Sequence, residues 1–361
     1  MTATPIEDLL STDTLSGLVK RFAQQSENRA CTDLFERHAK PIFPEGHVVS
    51  WEEVVFGRHF APVTGVDSPH TQARRLGRKR RSSVMVSIKV YKDLPGSALF
   101  FNRAPGQDSA DAEAVIADEL LDLTNLVQNT KEYLACGALL GKIQVDPQRV
   151  AGSELSFEVD FGVPEFQSPD WTDPQARLRS REFQRLKRRY KAGAGQRAGL
   201  VLADERIEGA LVRNAEIKGF AKEALGRQIL QGQSHGRASQ WAGLAGLDWH
   251  FTDGTYKPEG GQVTSYWPED AALVLPEERS MRRVLGWAEG RVLLPAGEVF
   301  TSAEDATSLV REARGHYAYA KLRTDPLGVR IYAGWYGLPL VLNPEALLRV
   351  NVRPQLAPTA P

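Results

Sequence analysis

The sequence predicts an α+β protein made for assembly, on three observations. A basic stretch carries Arg74, Arg75, Arg78, Lys79, Arg80 and Arg81, with Lys89 and Lys92 following it. A long amphipathic segment at about 108–140 opens with Asp108, Asp111, Glu113, Asp118, Glu119 and Asp122. Alternating apolar runs flank both, at 84–91, 142–145 and 155–161. A single compact domain has no obvious use for an exposed basic arm beside an oppositely charged helix. A subunit that lays the arm across a neighbour does.

Residues 5–40 read as short amphipathic helical pieces anchored by Leu9, Leu10, Leu15, Leu18, Val19, Leu34 and Phe35, ended by Pro41 and Pro44. With the strand-like residues 48–56, they make an N-terminal arm (1–60) with little core of its own. From Pro62 to Gly96 the pattern predicts an extended excursion, a β-ribbon whose polar, basic tip runs from Asp67 to Ser83. Its return leg is apolar at 84, 86, 88 and 90 and stops at Leu94-Pro95-Gly96. Such a ribbon is marginal alone and needs a surface to lie on.

The helix at 108–140 is a spine. Asp108 or Ser109 caps it, and its acidic first turns complement the helix dipole. Ile116, Leu120, Leu123, Val127 and Leu134 recur at helical spacing, and Gly137 and Gly141 mark its end. About 30 residues at 1.5 Å each give a rod of roughly 45–50 Å. The strands at 142–145 and 155–161 should form a sheet along it, before Pro164, Pro169 and Pro174 mark a boundary near 166.

Beyond it, Asp173-Pro174 opens a helix through Tyr190, with Leu178, Phe183, Leu186 and Tyr190 inward and eight arginines and lysines between 177 and 191 on its other faces. A buried strand at 198–203 leads to a helix over 205–230. Next come a hairpin at Asp253-Gly254 and a turn at Gly260-Gly261. Buried strands are expected at 272–276 and 291–294. Strand patterning returns over 330–342 and 347–352.

Of the 361 residues, 42% are hydrophobic and 25% charged, which is ordinary for a soluble globular chain. The 45 basic and 45 acidic side chains cancel. That argues against a dedicated nucleic-acid binder and leaves local charge segregation to be explained. Two cysteines, Cys31 and Cys136, lie far apart with no CxxC spacing and read as reduced structural thiols. Pro5, Glu7 and Asp8 occupy the place of an apolar signal core, and no apolar run approaches the ~20 residues needed to span a bilayer. Production in the cytoplasm and no membrane partner are the expectation.

Chemistry is sparse. No phosphate loop, nucleophile elbow or HExxH motif is present, and Gly193-Ala-Gly195 lacks the third glycine and preceding strand of a dinucleotide fingerprint. The histidines at 38, 47, 59, 70, 235, 250 and 316 contain no i, i+4 pair. Asp248, His250 and Asp253 suggest a metal or acid–base site, which is the basis of an alternative reading as a cytoplasmic metal-dependent enzyme. A polar hairpin explains them equally well. The basic helix at 175–191 reads as a solvated face, an inter-subunit salt-bridge surface or a contact with packaged nucleic acid. It lacks the interleaved aromatics that stack bases.

Taken in order, these parts resemble the tailed-phage (Hong Kong 97) capsid fold, and more closely the lambda-type major capsid protein family. The resemblance is carried by FGRHFAP (56–62), Leu94-Pro95-Gly96, the spine followed by FEVDFGVP (157–164), and Gly199 to Ala210 leading into a helix. Asp325-Pro326-Leu327-Gly328 leading into YGLPLVLNP (336–344) completes it. These motifs are individually loose, and only their order over about 40–350 is specific. The resemblance implies an extended loop at 61–100, a peripheral domain at 101–165, an axial domain at 166–310, and return strands with a tail at 311–361. It implies hexamers and pentamers tiling an icosahedral shell around double-stranded DNA in the virion, assembled in the host cytoplasm.

It further implies no catalytic residue, no cofactor and no metal. The partners implied are other copies of the chain, a separate scaffolding protein, a portal and non-specific contact with packaged DNA. A decoration protein or cross-links stay open, as does an encapsulin-like or gene-transfer-particle shell. Heterologous contacts that close rings suit an arm reaching a neighbour. Arg74, Arg75, Arg78, Lys79, Arg80 and Arg81 are therefore expected to meet Asp111, Glu113, Asp118 and Asp122 on the next subunit's spine.

Overall fold

The computed structural model describes residues 10–25, 29–54, 78–96, 110–145, 156–222, 244–257, 262–295 and 310–352. Helices α1 (Thr12–Gln25) and α2 (Ala30–His38) come first, then strands β1 (Lys40–Ile42), β2 (Val48–Val54), β3 (Arg78–Val84) and β4 (Val86–Pro95). The spine α3 (Ala110–Leu139) follows, then β5 (Lys142–Val145), β6 (Phe157–Asp160) and β7 (Glu165–Gln167). The next part holds α4 (Phe183–Ala194), β8 (Ala198–Asp204), α5 (Glu205–Arg213), α6 (Ala215–Lys222), β9 (Asp248–Thr252), β10 (Thr255–Tyr256), β11 (Thr264–Ser265) and β12 (Ala271–Pro276). The chain ends through β13 (Leu285–Glu289), β14 (Arg291–Pro295), β15 (Val310–Thr324), β16 (Leu327–Val341) and β17 (Leu348–Asn351).

Two sheets organise the molecule. One takes β1-β13-β16-β15-β14 in order, with β4 also paired to β16. The other runs β7-β17-β12-β8-β9, so strand pairs from the middle of the chain are completed by its last strand. The spine, 30 residues and about 45 Å long, packs on β16 and β4 and on α1 and α2. Its first half shares a small core with α1, β4, β15 and β16, through Leu15, Val19, Leu94, Ile116, Leu120 and Ile331. Its second half enters the main core, which continues through Trp335 and Trp287 to Leu202, Trp249 and Leu273 of the second sheet.

The N-terminal helices pack against the spine and β15. Leu15, Val19 and Ala23 of α1 are buried, and the Ser16 hydroxyl both donates to the Ala318 carbonyl (2.9 Å) and accepts from its N–H (3.1 Å). These residues borrow a core from the spine and β15, a long-range partnership that local pattern does not reveal. The basic ribbon is also divided. β3 pairs with β2, whereas β4 runs antiparallel to β16 from Pro95 opposite Gly328 to Val86 opposite Gly337. Buried Met85 sits between them, so the alternation breaks there and Val84 is exposed.

Further along, the helix expected to begin at Asp173-Pro174 starts later, with a single π-turn at Leu178–Glu182 before α4. Asp173 instead makes a side-chain turn, accepting from the Gln175 N–H (2.9 Å). The helix expected over 205–230 is cut at Asn214. This buried residue ends α5 and caps α6 by accepting from the Glu216 and Ile217 N–H groups (3.1 and 3.2 Å). Residues 223–230 lie outside the described residues.

Asp253-Gly254 is not a hairpin turn. β9 pairs in parallel with β8, and β10 pairs with β11, so the two residues link different sheets; Gly260-Gly261 lies outside the described residues. β14 is half-buried rather than buried, with Leu293 exposed, because it ends its sheet's strand order.

Candidate inter-subunit surface

The basic stretch and its partners are built by the β2–β3 ribbon. Alternation places Val49, Trp51 and Glu53 inward, and the Trp51 ring lies 6.1 Å from that of Phe161. Glu52 faces out. The register sets Arg80 opposite Glu52 and Lys79 opposite Glu53, yet the ion pairs run diagonally. Arg78 pairs with Glu52 at 2.7 Å, and Arg81 pairs with buried Glu53 at 2.5 Å while donating to the Asp160 carbonyl at 2.8 Å. Lys79 and Arg80 are exposed and make no ion pair among the described residues. Arg74 and Arg75 lie outside the described residues.

On the spine, Asp118 is exposed, and Asp122 pairs with Lys92 of β4 in the same chain (3.3 Å), as Glu119 also does. Both carboxylates push the Lys92 pKa up. Asp111 and Glu113 belong to the first turn of α3, with side chains outside the described residues. The structure thus splits the predicted set. Arg78, Arg81 and Asp122 have partners in their own chain, while Lys79, Arg80 and Asp118 stand free among the described residues. Nearby, Asp93 ties β4 to the C-terminal strands through a two-pronged Arg330 pair (2.5 and 2.8 Å) and Arg323 (2.6 Å). The Arg330 hydrogen bonds hold the Asp93 carboxyl below its usual range.

The basic helix has two characters. Leu178, Phe183, Leu186 and Tyr190 are buried, and the Arg179 and Ser180 N–H groups donate to the Glu216 carboxylate (both 2.9 Å). Lys187 reaches the Ala245 carbonyl, while Arg185, Arg188 and Arg189 face solvent. Asp248 and His250 line an open cavity of about 590 Å³ with His38, Glu277 and Glu278. Asp253 is not part of that lining, so the predicted trio does not converge.

Local pattern did not reveal a polar stripe buried on the inner face of the spine. Thr124, Gln128, Lys131 and Glu132 fall at helical spacing and are at most 2% exposed. The Lys131 ammonium pairs with Glu36 (2.6 Å), donates to His316 Nε2 (3.0 Å) and lies 5.0 and 5.5 Å from the ring centres of Trp287 and Trp335. Burial lowers the Lys131 pKa and pushes that of His316 well below the ordinary imidazole value, leaving a neutral ring whose Nε2 accepts from Lys131 and Gln128. Next to it, Glu132 joins Cys31 to Cys136, residues that are distant in sequence. Burial pushes both thiols up, Cys136 to about 12. The signal for this stripe is four polar residues interrupting the helix's apolar side.

The phage major capsid protein E family matches residues 45–352 of this chain. No curated protein matches it. Among solved structures it is similar to a capsid protein from a prophage of Escherichia coli CFT073, 12% identical, with a TM-score of 0.59 over 95% of this chain and 99% of that one. The fold is the α+β Hong Kong 97-like capsid fold. The mature capsid of bacteriophage PhiM1 (7% identity, TM-score 0.49, 89% and 87% covered) is also similar. So is a phage-related protein of Bordetella bronchiseptica RB50 (9%, 0.47, 93% and 96%).

Proposed function

We propose that this chain, which belongs to the phage major capsid protein E family, closes into hexamers and pentamers that tile an icosahedral shell around the double-stranded DNA of a tailed phage. The chain is a structural protein of the virion capsid; the ring geometry and the cargo are our reading. In it, residues 61–100 form the extended loop and 101–165 with the C-terminal strands the peripheral part. Residues 166–310 form the axial part, which contributes β8, β9 and β12 to the second sheet. Assembly takes place in the host cytoplasm with a separate scaffolding protein and a portal.

The observation that supports ring closure is the division of charge on the arm. Arg78 and Arg81 are satisfied within the chain, which leaves Lys79 and Arg80, on opposite faces of β3, without an ion pair among the described residues. With Arg74 and Arg75 they form the basic end that meets Asp111, Glu113 and Asp118 of a neighbouring spine, with Asp122 shared with Lys92. Each exposed pair contributes at most about 1 kcal/mol, so the charges steer and orient subunits more than they glue them.

The clean test reverses Lys79 and Arg80 only. Reversing Arg81 would also set a glutamate against buried Glu53. Wild type co-expressed with its scaffold should give closed shells by negative-stain electron microscopy, and Lys79→Glu/Arg80→Glu should give folded, unassembled subunits by light scattering. Normal shells from the variant would sink the arm-to-spine contact. Shells that enclose protein rather than DNA would favour an encapsulin-like compartment.

A further inference from the structure

The cluster around Cys31 is built like a metal site. Cys31 lies in the first turn of α2, and Glu132 and Cys136 occupy successive turns of the spine. Their donor atoms, two Sγ and a carboxylate oxygen, all lie within 4.8 Å of one another. None of the three residues is more than 2% exposed. A tetrahedral zinc ion, with bonds of about 2.3 Å to sulfur and about 2.0–2.2 Å to oxygen, needs donors roughly 3.5–3.8 Å apart. Small rotations of these side chains reach that spacing.

A second observation concerns charge. Glu132 accepts from the Cys31 N–H (2.7 Å), the Thr32 N–H (2.8 Å) and the Cys136 thiol (3.6 Å). It makes no ion pair among the described residues. A carboxylate so deeply buried without a cation is costly. The buried Thr32 hydroxyl, in the same turn of α2, makes no hydrogen bond among the described residues and offers a fourth donor atom.

We propose that Cys31, Glu132 and Cys136 bind one thiophilic divalent cation of the zinc class, which staples the N-terminal helix α2 to the spine. Binding replaces two S–H bonds by two metal–thiolate bonds and releases two protons to solvent; nothing is oxidised or reduced. Two thiolates, one carboxylate and a dication sum to a single negative charge. That charge sits at the positive end of α2, whose first N–H groups already point at Glu132. The site is closed to solvent, so its role is structural rather than catalytic.

Zinc and cobalt(II) are the probes, applied to the full-length subunit purified under reducing conditions. Cobalt(II) titration should give tetrahedral visible bands and a thiolate charge-transfer band that saturate at one ion per chain. Zinc should bleach them and raise the melting temperature. Cys31→Ser/Cys136→Ser should lose both the charge-transfer band and the zinc-dependent melting shift. The wild-type cobalt spectrum reports the ligand set even if that variant fails to fold. Absence of the bands in wild type, or equal binding by the variant, would overturn the site. So would a non-reduced mass two hydrogens lower with no metal bound, since that is a Cys31–Cys136 disulfide.

Discussion

Lys131 offers a sharp test of how charge is carried inside the spine contact. Replacing it with alanine removes three methylenes beyond Cβ, at about 0.8 kcal/mol each. It also opens a cavity between Trp287 and Trp335 and ends the cation–ring contacts, for a total of about 3–5 kcal/mol. Replacing it with methionine keeps the volume and removes the charge together with its hydrogen bonds to Glu36 and His316. Breaking a buried pair usually costs about 3–5 kcal/mol because the remaining charge is stranded. Here the remaining Glu36 has a side chain 33% exposed and still pairs with Arg29, and His316 Nε2 keeps Gln128. Lys131→Met should therefore cost no more than about 2 kcal/mol.

The reverse change, Glu36→Gln, leaves the fully buried ammonium without its anion and should cost about 3 kcal/mol or more. Urea unfolding of the unassembled subunit, followed by tryptophan emission, ranks the three variants. A methionine variant as damaged as the alanine variant would refute this reasoning, since the charge would then outweigh volume and rings.

Two glycines should respond with opposite signs. A Cβ on Gly334 would stand 2.6 Å from the Ile88 carbonyl and 2.5 Å from the Tyr317 hydroxyl. Gly334→Ala should cost about 1–3 kcal/mol in thermal melts. Gly209 lies inside α5, and a Cβ added there would meet nothing within 4 Å. Gly209→Ala should stabilise by about 0.5–1 kcal/mol. His316 sets an acid limit. Its folded pKa is depressed by burial, so below the unfolded value of 6.5 the unfolded chain binds a proton that the folded one refuses. Stability is unaffected above that pH and falls by about 1.4 kcal/mol per pH unit below it, down to the folded pKa. A stability–pH profile should show this slope in wild type and a flatter one in His316→Gln.

The spine, expected at 108–140 and found at 110–139, was legible because thirty residues of one periodicity leave little choice. Strands β5, β8, β12 and β16 were legible for a similar reason, as runs of residues suited to burial. What stayed hidden depends on partners distant in sequence. Glu132 from the spine caps α2, and Glu216 of α6 receives the N–H groups of Arg179 and Ser180. Each helix start is thus set by a carboxylate that its own neighbourhood does not contain. The arm's basic residues were visible as a charge run. Their division between satisfied and free members depended on the β2–β3 register, which joins residues about 30 positions apart.

The pairing of β4 with β16 also sets a clock. Val86 to Pro95 must wait for residues 328–337, which leave the ribosome more than 230 positions later. At about 5–20 residues per second that delay is roughly 12–50 s. Throughout it, the apolar side of the spine and the edge of β4 lack their cover. A chain stalled before residue 337 therefore has no finished surface to offer a neighbour, and a subunit becomes competent to join others only after that residue has emerged.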